Sequence, residues 1–269
     1  LADPDSEVGC LRKYWYEKVQ GIRPKQTVAQ ETGVKMHSDI ESYLRTGINA
    51  MGSLALRGKP MIVEPGSDLF IEHDIVIPPA IEVEARNAEL EHRFEEASNI
   101  RARATLSNAP LRIRGIPAVG YIDLLHTRCT NKGVTDIEDT IDPPGTVEVL
   151  DWKTTSNVDY IKAPDVMART IQMTLYGKWV TTTLPDTSFI RLSHGYFVTK
   201  GAALPRKVTL RVTPEQIDRQ WERVERVAGS IIEIARETDP DKVRANTRAC
   251  RAYGGCTHRA YCSASAPQE

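Results

Sequence analysis

Residues 146–155 read Thr-Val-Glu-Val-Leu-Asp-Trp-Lys-Thr-Thr. An apolar, β-branched run ends there in an acid and a lysine two residues apart, a spacing that sets Asp151 and Lys153 on one face of a strand. Trp152 then points the other way, where an aromatic belongs in a packed core. A carboxylate and an ammonium at one strand end can hold a divalent cation and steady a charged transition state. Taken alone, the same pair equally fits an exposed ion pair on an edge strand. Upstream, Gly120-Tyr121-Ile122-Asp123 lies on a second apolar run, so two strands can each bring a carboxylate to one point.

The hairpin implied by this pairing spans 116–129 and 146–155, with Thr130–Gly145 as a connection too long for a tight turn. On the carboxyl side, the pattern predicts a helix from about Pro164 to Thr181, in which Gln172 and Tyr176 stack at an i, i+4 offset. Strands at Phe189–Val198 and Lys207–Val212 follow, then a long helix from Thr213-Pro-Glu-Gln to about Glu237. On the amino side, residues 10–20 predict a short aromatic and basic helix ended by Gly21 and Pro24. Thr32 precedes a helical repeat of Val34, His37, Ile40, Tyr43 and Leu44 that Gly47 closes, which places His37 on an inward face. A lone inward His is ordinarily a hydrogen-bonded core residue. Residues 49–68 read as loop and 69–77 as a strand stopped by Pro78-Pro79, in which Glu72 faces either the site or solvent. From Ala80 to Asn99 the chain suits an exposed helix. Arg101, Arg103, Arg112 and Arg114 then form the clearest basic cluster, either a solvated face or a DNA-binding surface.

With 269 residues, 41% hydrophobic and 26% charged, the chain has ordinary globular composition and ample length for a core. A formal charge of −1 gives no global pull toward nucleic acid, so any phosphate-binding surface has to come from local clustering of basic residues. No run of eighteen apolar residues occurs, and the first residues are acidic where a signal peptide is basic; the expectation is a cytoplasmic protein without a membrane partner. There are five cysteines, three of them crowded into 250–262, a pattern of metal binding rather than of a disulfide framework. Absence of repeats or composition breaks predicts a single domain over 1–269, mixed in α and β.

Taken in order, Gly33-x-x-x-His37, Gly120-x-x-Asp123, Asp151-x-Lys153 and Gln172-x-x-x-Tyr176 resemble the motif series of RecB-family nucleases within the PD-(D/E)XK superfamily. Cys10-Leu-Arg-Lys-Tyr-Trp-Tyr resembles the amino-terminal cysteine motif of their iron–sulfur members, and Cys250-x5-Cys256-x5-Cys262 their carboxy-terminal cysteines. Similarity is greatest to CRISPR-associated and phage RecB-like exonucleases. The resemblance implies a restriction-endonuclease-like α/β core with a mixed sheet at about 29–200, a helical amino-terminal region and a cysteine-bearing tail. It also implies a [4Fe-4S] cluster on Cys10, Cys250, Cys256 and Cys262, a staple made by residue 10 and residues 250–262.

Each residue also has a physical reason. Mg²⁺ or Mn²⁺ takes oxygen ligands, which Asp123, Asp151 and the Trp152 carbonyl offer, and an imidazole from His37 suits Mn²⁺. Lys153 offsets charge on the phosphate, while Gln172 and Tyr176 position the scissile strand. Thiolate-only ligation suits zinc as well as iron–sulfur, with His258 a further candidate zinc ligand, and Gly254-Gly255 permit a tight fold around a centre. Cys129 stands apart as a free thiol. The expected activity is that of a metal-dependent DNA exonuclease at single-stranded or free ends, in recombination, repair or CRISPR-type processing with partner proteins of those pathways. The alternatives are a non-catalytic DNA- or protein-binding module on the same fold and a structural zinc adaptor.

Overall fold

The computed structural model describes residues 9–66, 68–104, 108–127, 142–201 and 204–264. Cys129 and most of the connection 130–145 lie outside them. The chain divides into two compact units: Thr27–Trp221, and the two end segments up to Gln26 and from Glu222.

Among its described residues, the unit Thr27–Trp221 holds seven strands: β1 (Phe70–Asp74), β2 (Arg112–Ile113), β3 (Ile116–Pro117), β4 (Tyr121–His126), β5 (Thr146–Thr155), β6 (Phe189–Val198) and β7 (Arg206–Val212). Five form one sheet in the order β1-β4-β5-β6-β7, and β2 pairs with β3 in a separate ribbon. The sheet is mixed: β4 and β5 run antiparallel with Leu124 opposite Leu150, whereas β5 and β6 run parallel with Asp151 opposite His194 and Lys153 opposite Tyr196. A parallel pair needs a crossover. It is supplied by two helices, Pro164–Ala168 and Ile171–Thr183, where the sequence predicts one. The break falls at Arg169-Thr170, where the Thr170 hydroxyl accepts from the Met173 N–H and caps the second helix.

Helices cover both faces of the sheet, which is why β5 is buried along most of its length rather than alternating. One face packs Val147, Val149, Leu192 and Val208 against Met173, Tyr176 and Trp179 of the crossover. The other packs Leu124, Leu150, Trp152 and Phe197 against Met36, Ile40, Tyr43 and Leu44. Trp152 is 2% exposed and meets Phe197 edge-on at 5.8 Å between centroids. Gly195 makes room for it: a Cβ there would stand 2.5 Å from the indole.

Several boundaries differ from those read in the sequence. The helix carrying His37 spans Val28–Thr46, starting ahead of Thr32, because Thr27 and Gln30 form a reciprocal capping box. Its buried stripe is Met36, Ile40, Tyr43 and Leu44, while Val34 is exposed and His37 sits at the stripe's edge. The segment 49–68 is not all loop: Ser53–Arg57 is helical and Lys59–Met61 makes a 3-10 turn. The stretch 80–99 holds two helices, Pro79–Leu90 and Phe94–Arg101, separated where His92 takes a left-handed φ of 60°.

In the unit built from the chain ends, the short helix Leu11–Tyr14 continues as a π-helical turn over Trp15–Val19. Its side chains bind the carboxy-terminal backbone. Arg12 Nε donates to Val243 O (2.9 Å), Trp15 Nε1 to Glu237 O (2.9 Å) and Tyr16 Oη to Tyr261 O (2.7 Å). Each such bond contributes about 1 kcal/mol net. The helix Pro214–Ile234 runs across the boundary between the units at Trp221. Among the described residues, no helix is long and apolar enough to cross a membrane.

Candidate active site

β4 and β5 deliver the two acids as expected, since one strand's register sets Asp123 beside the other's Asp151-Trp152 step. Asp123 is 8% exposed, and its Oδ2 accepts the Trp152 N–H at 2.6 Å. From the helix across, His37 reaches the same step, with Nε2 2.9 Å from Trp152 O. A carbonyl only accepts, so Nε2 carries the proton in that bond. Nδ1 is left facing Asp123 Oδ2 at 3.4 Å and Glu72 Oε1 at 3.7 Å.

Glu72, left open in the sequence, therefore faces the site. It does so through an irregularity. Glu72 has φ 47° in the middle of β1, a left-handed conformation that costs a non-glycine residue about 1–3 kcal/mol. Strict alternation does not reveal such a residue. The donor atoms of His37, Glu72 and Asp123 all lie within 4.8 Å of one another. Two carboxylates and a ring nitrogen meeting at one point repel unless a cation or a proton lies between them. Accordingly, burial tends to lower the His37 pKa, but the Glu72 and Asp123 carboxylates outweigh it and raise it. Burial first, then the Asp151 charge, lifts Asp123 to about 7. These residues fit a divalent cation.

Asp151 and Lys153 share the face predicted for them and form an ion pair. Asp151 is 1% exposed, and burial raises its pKa against the opposing pull of Lys153. Gln172 is the hub: its Nε2 donates to Asp151 Oδ1 (2.7 Å) and to Tyr176 Oη (2.9 Å), and its Oε1 accepts from Lys153 Nζ at 3.2 Å. Tyr176 Oη donates its own hydrogen bond to Tyr121 O (2.5 Å), and burial pushes the phenol well above its ordinary range.

Three residues absent from the sequence reading stand beside this group. His194 Nε2 lies 3.6 Å from Asp151 Oδ2, and its Nδ1 is 3.0 Å from Tyr196 Oη. Burial, then the ammoniums of Lys153 and Lys162, lower His194 to about 3, so the ring is neutral. Lys162 in turn is lowered by burial and by Lys153, and it feels the charge of Asp151. The signal that would have found them is the parallel register of β5 and β6, which single-sequence patterns do not carry.

Cys10, Cys250, Cys256 and Cys262 come together at the chain ends as free thiols. Burial, then the charges of Cys256, Cys10 and Cys262, raise the Cys250 pKa. The Asn246 N–H donates to Cys10 Sγ (3.4 Å) and Arg12 Nη1 to Cys262 Sγ (3.9 Å). His258 turns its Nε2 toward Glu17 Oε1 at 3.2 Å and stacks on Tyr16. By donor chemistry alone, four thiols suit a thiolate-ligated centre; among the described residues the donor group drawn within 4.8 Å is His37, Glu72 and Asp123.

The arginine cluster is split. Arg101 is held by Glu82 (2.8 Å) and Glu89 (2.5 Å), and Arg103 by Glu84 (2.5 Å), so both tie down the helices Pro79–Leu90 and Phe94–Arg101. Arg112 donates to Gly115 O (3.0 Å) on the β2–β3 ribbon, where Arg114 takes a φ of 50°.

No curated protein and no solved structure matches the chain. A family model does match, over residues 8–263. It covers both cysteine-bearing segments and every residue of the sheet-borne site, and on that match the chain belongs to the PD-(D/E)XK nuclease superfamily, a group of metal-dependent nucleases.

Proposed function

We propose that this nuclease is a DNA exonuclease dependent on Mg²⁺ or Mn²⁺, acting at single-stranded or free ends. The observation that carries the metal site is the convergence of His37 Nδ1, Glu72 and Asp123 beside the paired Asp151 and Lys153. His37, Asp123, Asp151 and the Trp152 carbonyl hold the cation, and Glu72 adds a ligand to the set. When bound, a divalent cation polarises a phosphodiester and acidifies water at neutral pH.

The chain's own groups do the rest. Lys153 supplies positive charge where the phosphate oxygens gain negative charge, and Gln172 hydrogen-bonds both its ammonium and the Asp151 carboxylate. Tyr176 fixes Gln172 in the orientation that donates to Asp151. Arg101, Arg103, Arg112 and Arg114 are the candidate contacts to the DNA backbone, and Arg101 and Arg103 also bind carboxylates in the resting protein. The four cysteines hold a [4Fe-4S] cluster, with zinc as the competing occupant. Recombination, repair or CRISPR-type end processing suits such an activity, and so do the partner proteins of those pathways.

Digestion of an end-labelled single strand, of a duplex and of a covalently closed circle, each with Mg²⁺ or Mn²⁺, tests the proposal. Mononucleotides or short products from the linear substrates alone are expected. Cleavage of the closed circle at an equal rate refutes the exonuclease assignment, and no cleavage of any substrate refutes the catalytic one in favour of a binding module.

A further inference from the structure

The strand β1 lies at an edge of the sheet, and it changes face at Glu72. Residues two apart on a regular strand share a face. Here Ile71 packs with Met36, Ile40 and Leu44 of the helix Val28–Thr46, whereas His73 meets Trp179 on the other side of the sheet, at 4.8 Å between ring centroids. Ile71 pairs with Leu124 and His73 with Ile122, and these two partners divide between the same two cores. Both strands are therefore creased at one level. At the crease stand Glu72 and Asp123, the two carboxylates that face His37, and the left-handed φ of Glu72 is its backbone expression.

Left to itself, a non-glycine residue abandons that conformation for the extended one. The peptide between Ile71 and Glu72 is held from outside the sheet, because Arg45 Nη2 donates to Ile71 O at 2.9 Å. The angle φ of Glu72 is measured from this peptide plane, so pinning the carbonyl restrains φ. Arg45 is aimed in turn by Glu41, one helical turn earlier, whose Oε1 accepts from Arg45 Nε at 2.8 Å. As a helix-surface pair alone, Glu41 and Arg45 would contribute little. The bond across to Ile71 couples the pair to the site. The helix that carries them also carries His37, so one element presents the ring nitrogen and fixes the backbone of the carboxylate opposite it.

We infer that Arg45 is a positioning residue: by holding the Ile71 carbonyl it keeps Glu72 left-handed, with its carboxylate turned to His37 and Asp123. This role rests on the cation binding proposed for Glu72. Outer partners of this kind are worth about 10–100-fold in metal affinity.

Mn²⁺ calorimetry on the full chain in two backgrounds tests it. Arg45→Met is expected to weaken binding about 10–100-fold in the wild-type chain. Beside Glu72→Gly the same change is expected to do nothing further, because glycine has no carboxylate to aim; a residue that only stabilises the fold would weaken both chains alike. In chelator, the backbone ¹³C shifts of Glu72, which report the sign of φ, are expected to move from the left-handed to the extended range in Arg45→Met. Full affinity in Arg45→Met, an equal loss in both backgrounds, or a Glu72 that stays left-handed overturns the assignment. If Arg45→Met does not fold, Glu41→Ala on the helix surface takes its place: a smaller loss is expected in the wild-type background and none beside Glu72→Gly, and full affinity in both overturns the assignment. If Glu72→Gly binds Mn²⁺ as the wild type does, or the chain binds none, the cation role of Glu72 is refuted, and the ¹³C shifts still judge whether Arg45 holds the backbone.

Discussion

Lys153 touches carboxylate and amide oxygens in the resting protein, and its ammonium is one-third exposed, so little of the core depends on it. Lys153→Ala is therefore expected to cut nucleolysis about a hundred- to a thousandfold, the loss usual for one transition-state donor, with a melting temperature close to wild type. Near-normal turnover in that variant would remove Lys153 from the mechanism. Glu72 is the opposite case, because its left-handed φ of 47° puts strain into the fold for the sake of the site. Glu72→Gly is expected to raise the stability of the metal-free chain by on the order of 1 kcal/mol. The same change should weaken Mn²⁺ binding in calorimetry, and a variant that binds Mn²⁺ as the wild type does would show that Glu72 is no ligand. The contrast also marks what was legible. Asp123, Asp151, Lys153, Gln172 and Tyr176 could be read because regular strand and helix periods place them. Glu72 could not, because one residue with positive φ cancels the alternation that would assign its face.

Among the elements, β5 carries a second polar group on its Trp152 side. Glu148 is fully buried with Lys207 of β7 at 2.5 Å and the His126 ring at 3.3 Å, and it accepts from Ser193 Oγ at 2.6 Å. Burial alone would raise this carboxyl, but Lys207, then His126, outweigh it and hold its pKa far below the usual range. Lys207→Met strands the carboxylate and is expected to cost about 3–5 kcal/mol in urea unfolding. Glu148→Leu combined with Lys207→Met is expected to recover most of that loss, and equal instability of the single and double variants would refute the pairing. The pH dependence has a definite sign. In the unfolded chain a Glu protonates near 4.3, whereas the native carboxyl stays ionised below that, so the pair's stabilisation is complete above about pH 4.3 and is lost as the pH falls further. The strands themselves were legible from run lengths and turn residues and the mixed sheet from the family resemblance, but the strand order was not. The breaks at His92 and at Arg169-Thr170 were not, because neither contains the Gly or Pro that marks an interruption.

At the scale of the whole molecule, one unit is a continuous stretch and the other is assembled from both ends of the chain. The thiols of the second unit belong to residues 10 and 250–262, so a shared centre closes nearly the entire sequence into a loop. Protein purified without oxygen is expected to be brown, with about four irons per chain. Cys10→Ala or Cys256→Ala is expected to bleach it and to lower thermal stability, whereas Cys129→Ala should do neither. One zinc and no iron in elemental analysis would refute the cluster while leaving the sheet-borne site unaffected. The four cysteines could be singled out by their spacing alone, but the Asn246 N–H that donates to Cys10 Sγ and the Val243 carbonyl that accepts from Arg12 Nε could not. Discontinuity of this unit also orders events on the ribosome. Cys10 and Cys250 are 240 positions apart. At about 5–20 residues per second, Cys10 waits roughly 10–50 s on the nascent chain before the first of the carboxy-terminal cysteines is made. Every residue proposed to hold the cation has been synthesised once Trp152 is in place, whereas the proposed thiol set is complete only after Cys262, so biosynthesis separates the two in time and any cysteine centre would be loaded last.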